Sequence, residues 1–341
     1  MADEPRALAW TGEALRLIDQ TLLPTRLAYV EVREVGALVT AIQRLVVRGA
    51  PALGAAGAYG VAIALHQASR ENWSEQTLRE AINSIRSARP TAVNLAYGVD
   101  RVSPLIEAGA GAVAAEADRI LQEDIAANLA IGRHGADWIG RPVRILTHCN
   151  AGALATCGWG TALGVVRELH SRGLVEHVYV DETRPLLQGA RLTAWELDQA
   201  QIPYQVQADA AAASTILRGL VDVAIVGADR IAANGDTANK IGSVGVALAC
   251  GEAGIPFMVA APWTTIDLET KTGAEITIEQ RDGGEILTWQ GIRTTPEAAR
   301  AFNPAFDVTP ARLITALATE TGVLSIADGQ TPDNAVWPGH R

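Results

Sequence analysis

The chain has little sulfur and few aromatic rings. Of its 341 residues three are Cys, two Met and 5% aromatic, with only three Phe. Cys149, Cys157 and Cys250 form no C-x-x-C pair, and so sparse and odd a count argues against a disulfide framework and fits a reducing cytosol. Basic residues are in deficit: 28 Lys and Arg against 38 Asp and Glu give a formal charge of -10. That balance argues against sequence-independent binding to nucleic acid or to an anionic membrane surface. Several chemistries lack their motif as well. No G-x-G-x-x-G follows a strand pattern, no H-E-x-x-H or spaced His set suggests a metal, and no G-x-S-x-G elbow occurs. The stretch Asn234–Gly242 has Ile241 where a phosphate-binding loop needs Ser or Thr. The start, Met1 to Pro5, has neither a basic nor an apolar signal region, so a soluble cytoplasmic protein is expected, with no membrane partner.

What is present is aliphatic: 48% of residues are hydrophobic, mostly Ala, Val, Leu and Ile, which suits packed helices and buried parallel strands. Helical spacing dominates the first part. Val35 to Val47, Ala52 to His66, Leu78 to Ser87, Ala92 to Glu107 and Ala112 to Ile139 are expected helices, the second apolar nearly all round and therefore buried. Short β-prone pieces at Ala7–Trp10 and Ala14–Ile18 predict a small sheet. From Pro142 strands and helices alternate: strands at Val143–Thr147, His177–Val180, Tyr204–Gln207, Asp222–Val226 and Pro256–Ala260, and helices over 153–171, 191–200, 210–219 and 239–253. A β-prone Glu275–Ile278 and a helix over Pro310–Thr321 follow. The expected fold is α/β: a small mainly helical domain with a small sheet over residues 1–140, then a Rossmann-like parallel-sheet catalytic domain over 141–341.

Parallel sheets place ligands beyond the carboxyl ends of their strands. The residues there are His148-Cys149-Asn150, Asp181 to Arg184, Asp209, Gly227 to Arg230 and Pro262-Trp263, a set rich enough in reactive groups to point to an enzyme. Cys149 precedes an expected helix start, whose field would lower its thiol pKa; the competing reading is an inert buried cysteine. Cys157 and Cys250 fall in helical patterns and are expected core. Asp229, at a strand mouth between small residues, is either a desolvated general acid or a turn-capping carboxylate. Arg48-Gly49-Ala50-Pro51 offers a cation, a flexible backbone and a helix start for a phosphate. Arg89 and Asn239-Lys240 carry weaker signals alone.

Together these motifs resemble the methylthioribose-1-phosphate isomerases. The resemblance runs through Val47 to Ala64, Ala88-Arg89-Pro90-Thr91-Ala92-Val93-Asn94-Leu95, and Thr147-His148-Cys149-Asn150-Ala151-Gly152. It continues in Glu182-Thr183-Arg184-Pro185 with Gln188-Gly189-Ala190-Arg191, Gly227 to Ile231 with Asn239 to Gly242, and Phe302 to Pro310. It implies an aldose–ketose isomerase of methionine salvage, with no cofactor and no metal, working as a homodimer on a small sugar phosphate. Cys149 and Asp229 would be the catalytic pair, and Arg48, Gly49, Ala50, Arg89, Gln188, Asn239 and Lys240 would hold the substrate. The wider superfamily also holds a ribose-1,5-bisphosphate isomerase and regulatory subunits of a translation-initiation exchange factor. Those subunits typically lack the Cys and Asp pair that this chain keeps. A related sugar 1-phosphate, such as 5-deoxyribose 1-phosphate, is the alternative substrate. Hydrogen transfer from C2 to C1 as hydride, or as a proton through an enol phosphate with Cys149 as base, both remain open.

Overall fold

The computed structural model describes residues 6–89 and 93–335. Three antiparallel strands begin it: β1 (Leu8–Trp10), β2 (Leu15–Ile18) and β3 (Tyr29–Val32). Helices α1 (Val35–Gln43), α2 (Ala50–Glu71), α3 (Glu75–Arg86), α4 (Val93–Val102) and α5 (Ala110–Ile139) follow. α2 is the spine of this part, buried from Ala52 to Ala64. Its small residues let α4 approach to backbone contact: a Cβ on Gly98 would lie 1.9 Å from the Gly54 carbonyl oxygen. Tyr59 stacks on Trp10 with ring centroids 5.3 Å apart and donates to Asp118, tying α2 to the small sheet and to α5. α5 serves two cores, with Val113, Ala117 and Leu121 in the first and Ile131 and Ala136 in the second.

The second part alternates as expected through β4 (Val143–Thr147), α6 (Ala162–Ser171), β5 (Val175–Asp181), α7 (Ala194–Gln199), β6 (Tyr204–Gln207), α8 (Ala212–Leu217) and β7 (Val223–Val226). Then come β8 (Arg230–Ala232), β9 (Thr237–Lys240), α9 (Ser243–Ala253), β10 (Phe257–Ala260) and β11 (Ile266–Asp267). The chain ends in α10 (Gly284–Leu287), the hairpin β12 (Thr288–Trp289) and β13 (Ile292–Arg293), β14 (Phe306–Thr309), β15 (Ala316–Thr319) and β16 (Gly322–Ser325). The main sheet has seven strands in the order β16-β15-β10-β7-β4-β5-β6, parallel but for β16. The chain winds outward from β4 through β5 to β6, then returns to β7 on the other flank of β4. That makes the β4–β7 boundary the topological switch point. A second sheet, β11-β8-β9-β14, forms from the segments after β7. Among the described residues no helix is long and apolar enough to cross a membrane.

Four expectations fail. The helix expected over 153–171 exists only as Ala162–Ser171, because the Glu196 carboxylate accepts the N–H groups of Ala153 and Leu154 and holds 148–161 as an irregular loop. Asn239 and Lys240 belong to β9, paired with β8 and β14, and the helix starts only after Gly242 at φ 110°. Glu275–Ile278 is no strand: a short 3-10 turn over Gly273–Glu275 is closed by the Thr272–Glu275 capping box. Pro310–Thr321 is a turn followed by β15, whose four residues are all buried. A strand covered on both faces loses its alternation and reads as a helix.

The Gly54–Gly98 crossing sets a test. Gly98→Ala should cost about 1–3 kcal/mol through overpacking, since the added carbon meets backbone. Gly111→Ala, in the first turn of α5 with nothing within 4 Å of the new carbon, should hold or gain up to about 1 kcal/mol. Urea midpoints of the two variants decide it, and equal stability would refute the packing account.

Candidate active site

The switch point brings together the loop after β4, His148-Cys149-Asn150, and the loop after β7, Gly227-Ala228-Asp229. Cys149 has a left-handed backbone, φ 64°, unusual for a side chain of its kind. Its N–H donates to Thr183 Oγ1 at 2.8 Å, and its carbonyl accepts from Thr193 Oγ1 at 2.6 Å. Asn150 is gripped from both sides. Arg48 donates to its Oδ1 at 2.6 Å and its carbonyl at 2.8 Å, while its amide donates to Glu196 at 2.9 Å. Gly49 lets α2 begin against this loop, for a Cβ there would lie 2.1 Å from the Ala155 carbonyl oxygen.

His148 braces the loop from behind. Its Nε2 lies 2.8 Å from the Ile241 carbonyl and so carries a hydrogen, and its Nδ1 lies 2.9 Å from Asp181. Burial works against the imidazolium, but the Asp181 carboxylate outweighs it and pushes the His148 pKa up. His148, Asp181 and Asp209 are grouped closely enough to hold a metal ion. Their donors are already engaged by protein: Asp209 accepts from the N–H groups of Thr183 and Arg184, and Asp181 from Gln207. The cluster is therefore a structural brace, ill suited to a cation.

Two adjoining cavities, each of about 40 Å³, meet at Arg48, Gly49, Cys149 and Asp229. The first continues along Ala50 and Asn239 to a wall of small residues, among them Pro51, Ala151, Ala155, Ala228 and Ala261. The second is lined by Arg89, Gln188, Lys240 and Arg281, with Phe306. Every residue that the motifs single out for catalysis or substrate binding thus lines one of two connected spaces. Pro90 and Thr91 of the Arg89 motif lie outside the described residues. Sequence reasoning missed Arg281, which sits in a segment without periodicity, and Glu196, which a helical pattern conceals. Gln188 Oε1 and Arg89 Nε are shielded from solvent without a hydrogen-bond partner among the described residues.

The electrostatics correct one expectation. The helix thought to acidify Cys149 begins only at Ala162, too far away to act on it. Burial instead pushes the Cys149 thiol up, and Arg48 and Lys240 only partly oppose it. Asp229 is likewise raised by burial against the pull of Arg89, Arg48 and Lys240. Lys240 is lowered by burial, although Cys149 and Asp229 favour its charge. Cys157 is core as expected but lies on the loop; burial and then Asp124 push its thiol up. Cys250, buried in α9, is pushed up to about 12 by burial.

Comparison with known proteins supplies the lineage. Methylthioribose-1-phosphate isomerase of Gloeobacter violaceus is 49% identical over 325 residues, covering 94% of this chain and 93% of that protein. The crystal structure of 5-methylthioribose 1-phosphate isomerase from Pyrococcus horikoshii OT3 superposes with a TM-score of 0.85 at 40% identity, covering 94% of this chain and 92% of that one. The structure named translation initiation factor eIF-2B, subunit delta, from A. fulgidus gives 0.83 at 40% identity over 96% of this chain and 97% of that one. The family model described as "Initiation factor 2 subunit family" matches residues 46–326, so nearly the whole switch-point architecture lies within the match, and the chain belongs to that family.

Proposed function

We propose that the chain is an aldose–ketose isomerase that converts 5-methylthioribose 1-phosphate into 5-methylthioribulose 1-phosphate, the substrate named for the Pyrococcus relative. The observation that carries this reading is a shielded carboxyl and a shielded thiol facing one space, with cations at one end and small apolar residues at the other. Arg89, Lys240 and Gln188, which line one cavity, suit a phosphate. The wall of Pro51, Ala151, Ala155, Ala228 and Ala261 suits an uncharged 5-substituent.

The substrate's anomeric carbon carries the phosphate ester, so no free aldehyde can form. Asp229, its carboxyl pKa raised by burial, gives its proton to the ring oxygen as the C1–O bond breaks and leaves its electron pair on that oxygen. Hydrogen then moves from C2 to the cationic C1 with its electron pair, and the C2 hydroxyl returns a proton to Asp229 as the ketone forms. A thiol raised by burial is a poor base in the unliganded site, and apolar walls keep water from the cation. Both favour hydride over an enol phosphate, with the Cys149 sulfur facing the developing charge. The reading includes a homodimer, for which the exposed Leu217 of α8 and Leu248 of α9 offer apolar surface; light scattering at twice the chain mass is the expected result.

The substrate test compares kcat/KM for the 5-methylthio, 5-deoxy and 5-phospho sugars. The methylthio compound should lead the deoxy one by roughly 10-fold or more, the worth of one apolar group in a pocket. A lead by the bisphosphate would sink the assignment, and no turnover of any would favour a regulatory scaffold. Asp229→Asn should fold and lose about 100-fold or more in kcat. Because the acid form is the active one, kcat should fall as pH rises through the raised Asp229 pKa. Arg89→Met removes the largest charge pulling that pKa down, so the falling limb should move to higher pH at saturating substrate. A shift the other way contradicts the assignment. Deuterium at C2 should reach C1 undiluted in ordinary water, and washout would restore Cys149 as a base.

A further inference from the structure

The chain's net charge of -10 repels a sugar phosphate dianion at long range, yet the substrate-binding cavities have a neighbour of opposite character. Between the α1–α2 turn and the β12–β13 hairpin runs a groove of about 530 Å³, larger than either cavity at Cys149. Five arginines line it, Arg44, Arg48, Arg184, Arg191 and Arg281, against the single carboxylate of Glu285. Glu285 is itself paired with Arg281 at 2.5 Å. The other bonded guanidiniums meet neutral oxygens. Arg191 donates to the carbonyls of Gln20, Leu23 and Leu186, Arg184 to that of Pro185, and Arg48 to Asn150. Arg184 also stacks 5.3 Å above the Trp289 ring, which fixes its charge at the groove wall, and Arg44 stands exposed. Burial and then the Arg48 charge both disfavour the Arg191 cation, so an arriving anion relieves an existing repulsion. Leu45, Arg48, Leu186, Gln188 and Arg281 are walls of both the groove and the cationic cavity, so the two spaces adjoin.

We propose that this groove is the approach path of the substrate, an anion-capture site at which Arg44 and Arg184 hold the phosphate dianion before it passes Arg48 to the cavity of Cys149 and Asp229. The proposal rests on the sugar phosphate reading above. Clefts lined by one sign of charge raise on-rates about 10- to 1000-fold, and they do so only while salt leaves the field unscreened. Neither Arg44 nor Arg184 reaches the reacting atoms, so their charge acts on capture and leaves the chemical step alone.

The test is the double variant Arg44→Gln/Arg184→Gln, with Arg79→Gln on the remote α3 surface as control. Initial rates are measured at about 10 mM and about 150 mM salt, where the screening length falls from about 30 Å to about 8 Å. The double variant should keep its kcat, lose about tenfold in kcat/KM at low salt and lose most of the wild-type salt dependence. The control should match wild type. Wild-type kcat/KM with an unchanged salt slope, or a loss confined to kcat, overturns the proposal. Should the double variant fold poorly, Arg44→Gln alone, an exposed position, gives the same signs at smaller size. If the wild type turns over no sugar phosphate, the isomerase reading fails, and the groove is read by calorimetric titration with inorganic phosphate at both salt levels. Weaker, less salt-sensitive binding by the double variant then supports the capture site, and identical isotherms refute it.

Discussion

The site depends on one unfavourable backbone conformation. A left-handed Cys costs on the order of 1–3 kcal/mol and persists only where its surroundings over-determine it. Here they come from four directions: the Thr183 hydroxyl, the Thr193 hydroxyl, the His148 brace to Asp181 and Ile241, and the Arg48–Asn150 clamp. They arrive from β5 and its loop, the turn before α7, the β9–α9 turn, and the α1–α2 turn. Glu196 lies behind them all, 2% exposed, accepting from Asn150, Ala153 and Leu154, and a Cβ on Gly152 would collide with its carboxylate. The doubly wound order is what delivers those supports to one point, since β5 and β7 flank β4.

Burial dominates the charges in that point. Arg48 and Lys240 pull both Cys149 and Asp229 toward ionisation, yet both remain raised, so desolvation is the larger effect. The unliganded site therefore disfavours both anions, and one of its cations, Lys240, is itself disfavoured by burial. A dianion entering this field stabilises Lys240 and makes ionisation of Asp229 still harder. On the proposed reading, binding the phosphate would ready the general acid, a coupling that follows from the sign of the charges alone.

Much of this was legible beforehand because strand ends obey a simple rule. Val143–Thr147 and Tyr204–Gln207 have the predicted bounds, and from them the loops bearing Cys149 and Asp209 follow. The failures share a cause, which is tertiary contact overriding local pattern. Residues 153–161 have helical composition, but Glu196 competes for their N–H groups. Ala316–Thr319 is buried on both faces and loses its alternation, and Asn239-Lys240 pairs with Phe306-Asp307, nearly seventy positions away along the chain. Cys149 is legible by position but its acidity is not, since a helix start inferred nine residues early brings its dipole with it.

The scaffold and the chemistry are separable in this architecture. The hydroxyls that fix Cys149 bond its main chain, and the Asp229 N–H is held by the Ala238 carbonyl. A different side chain at 149 or 229 would inherit the same backbone supports, losing the thiol or the carboxyl and little of the fold. That is why likeness of shape to the A. fulgidus initiation-factor structure, at a TM-score of 0.83, says nothing of turnover. On the proposed reading, function on this frame rests on which two side chains stand at the switch point and on whether cations surround them. In this chain a thiol and a carboxyl stand there, with Arg48, Arg89 and Lys240 acting on the carboxyl and two of these also on the thiol.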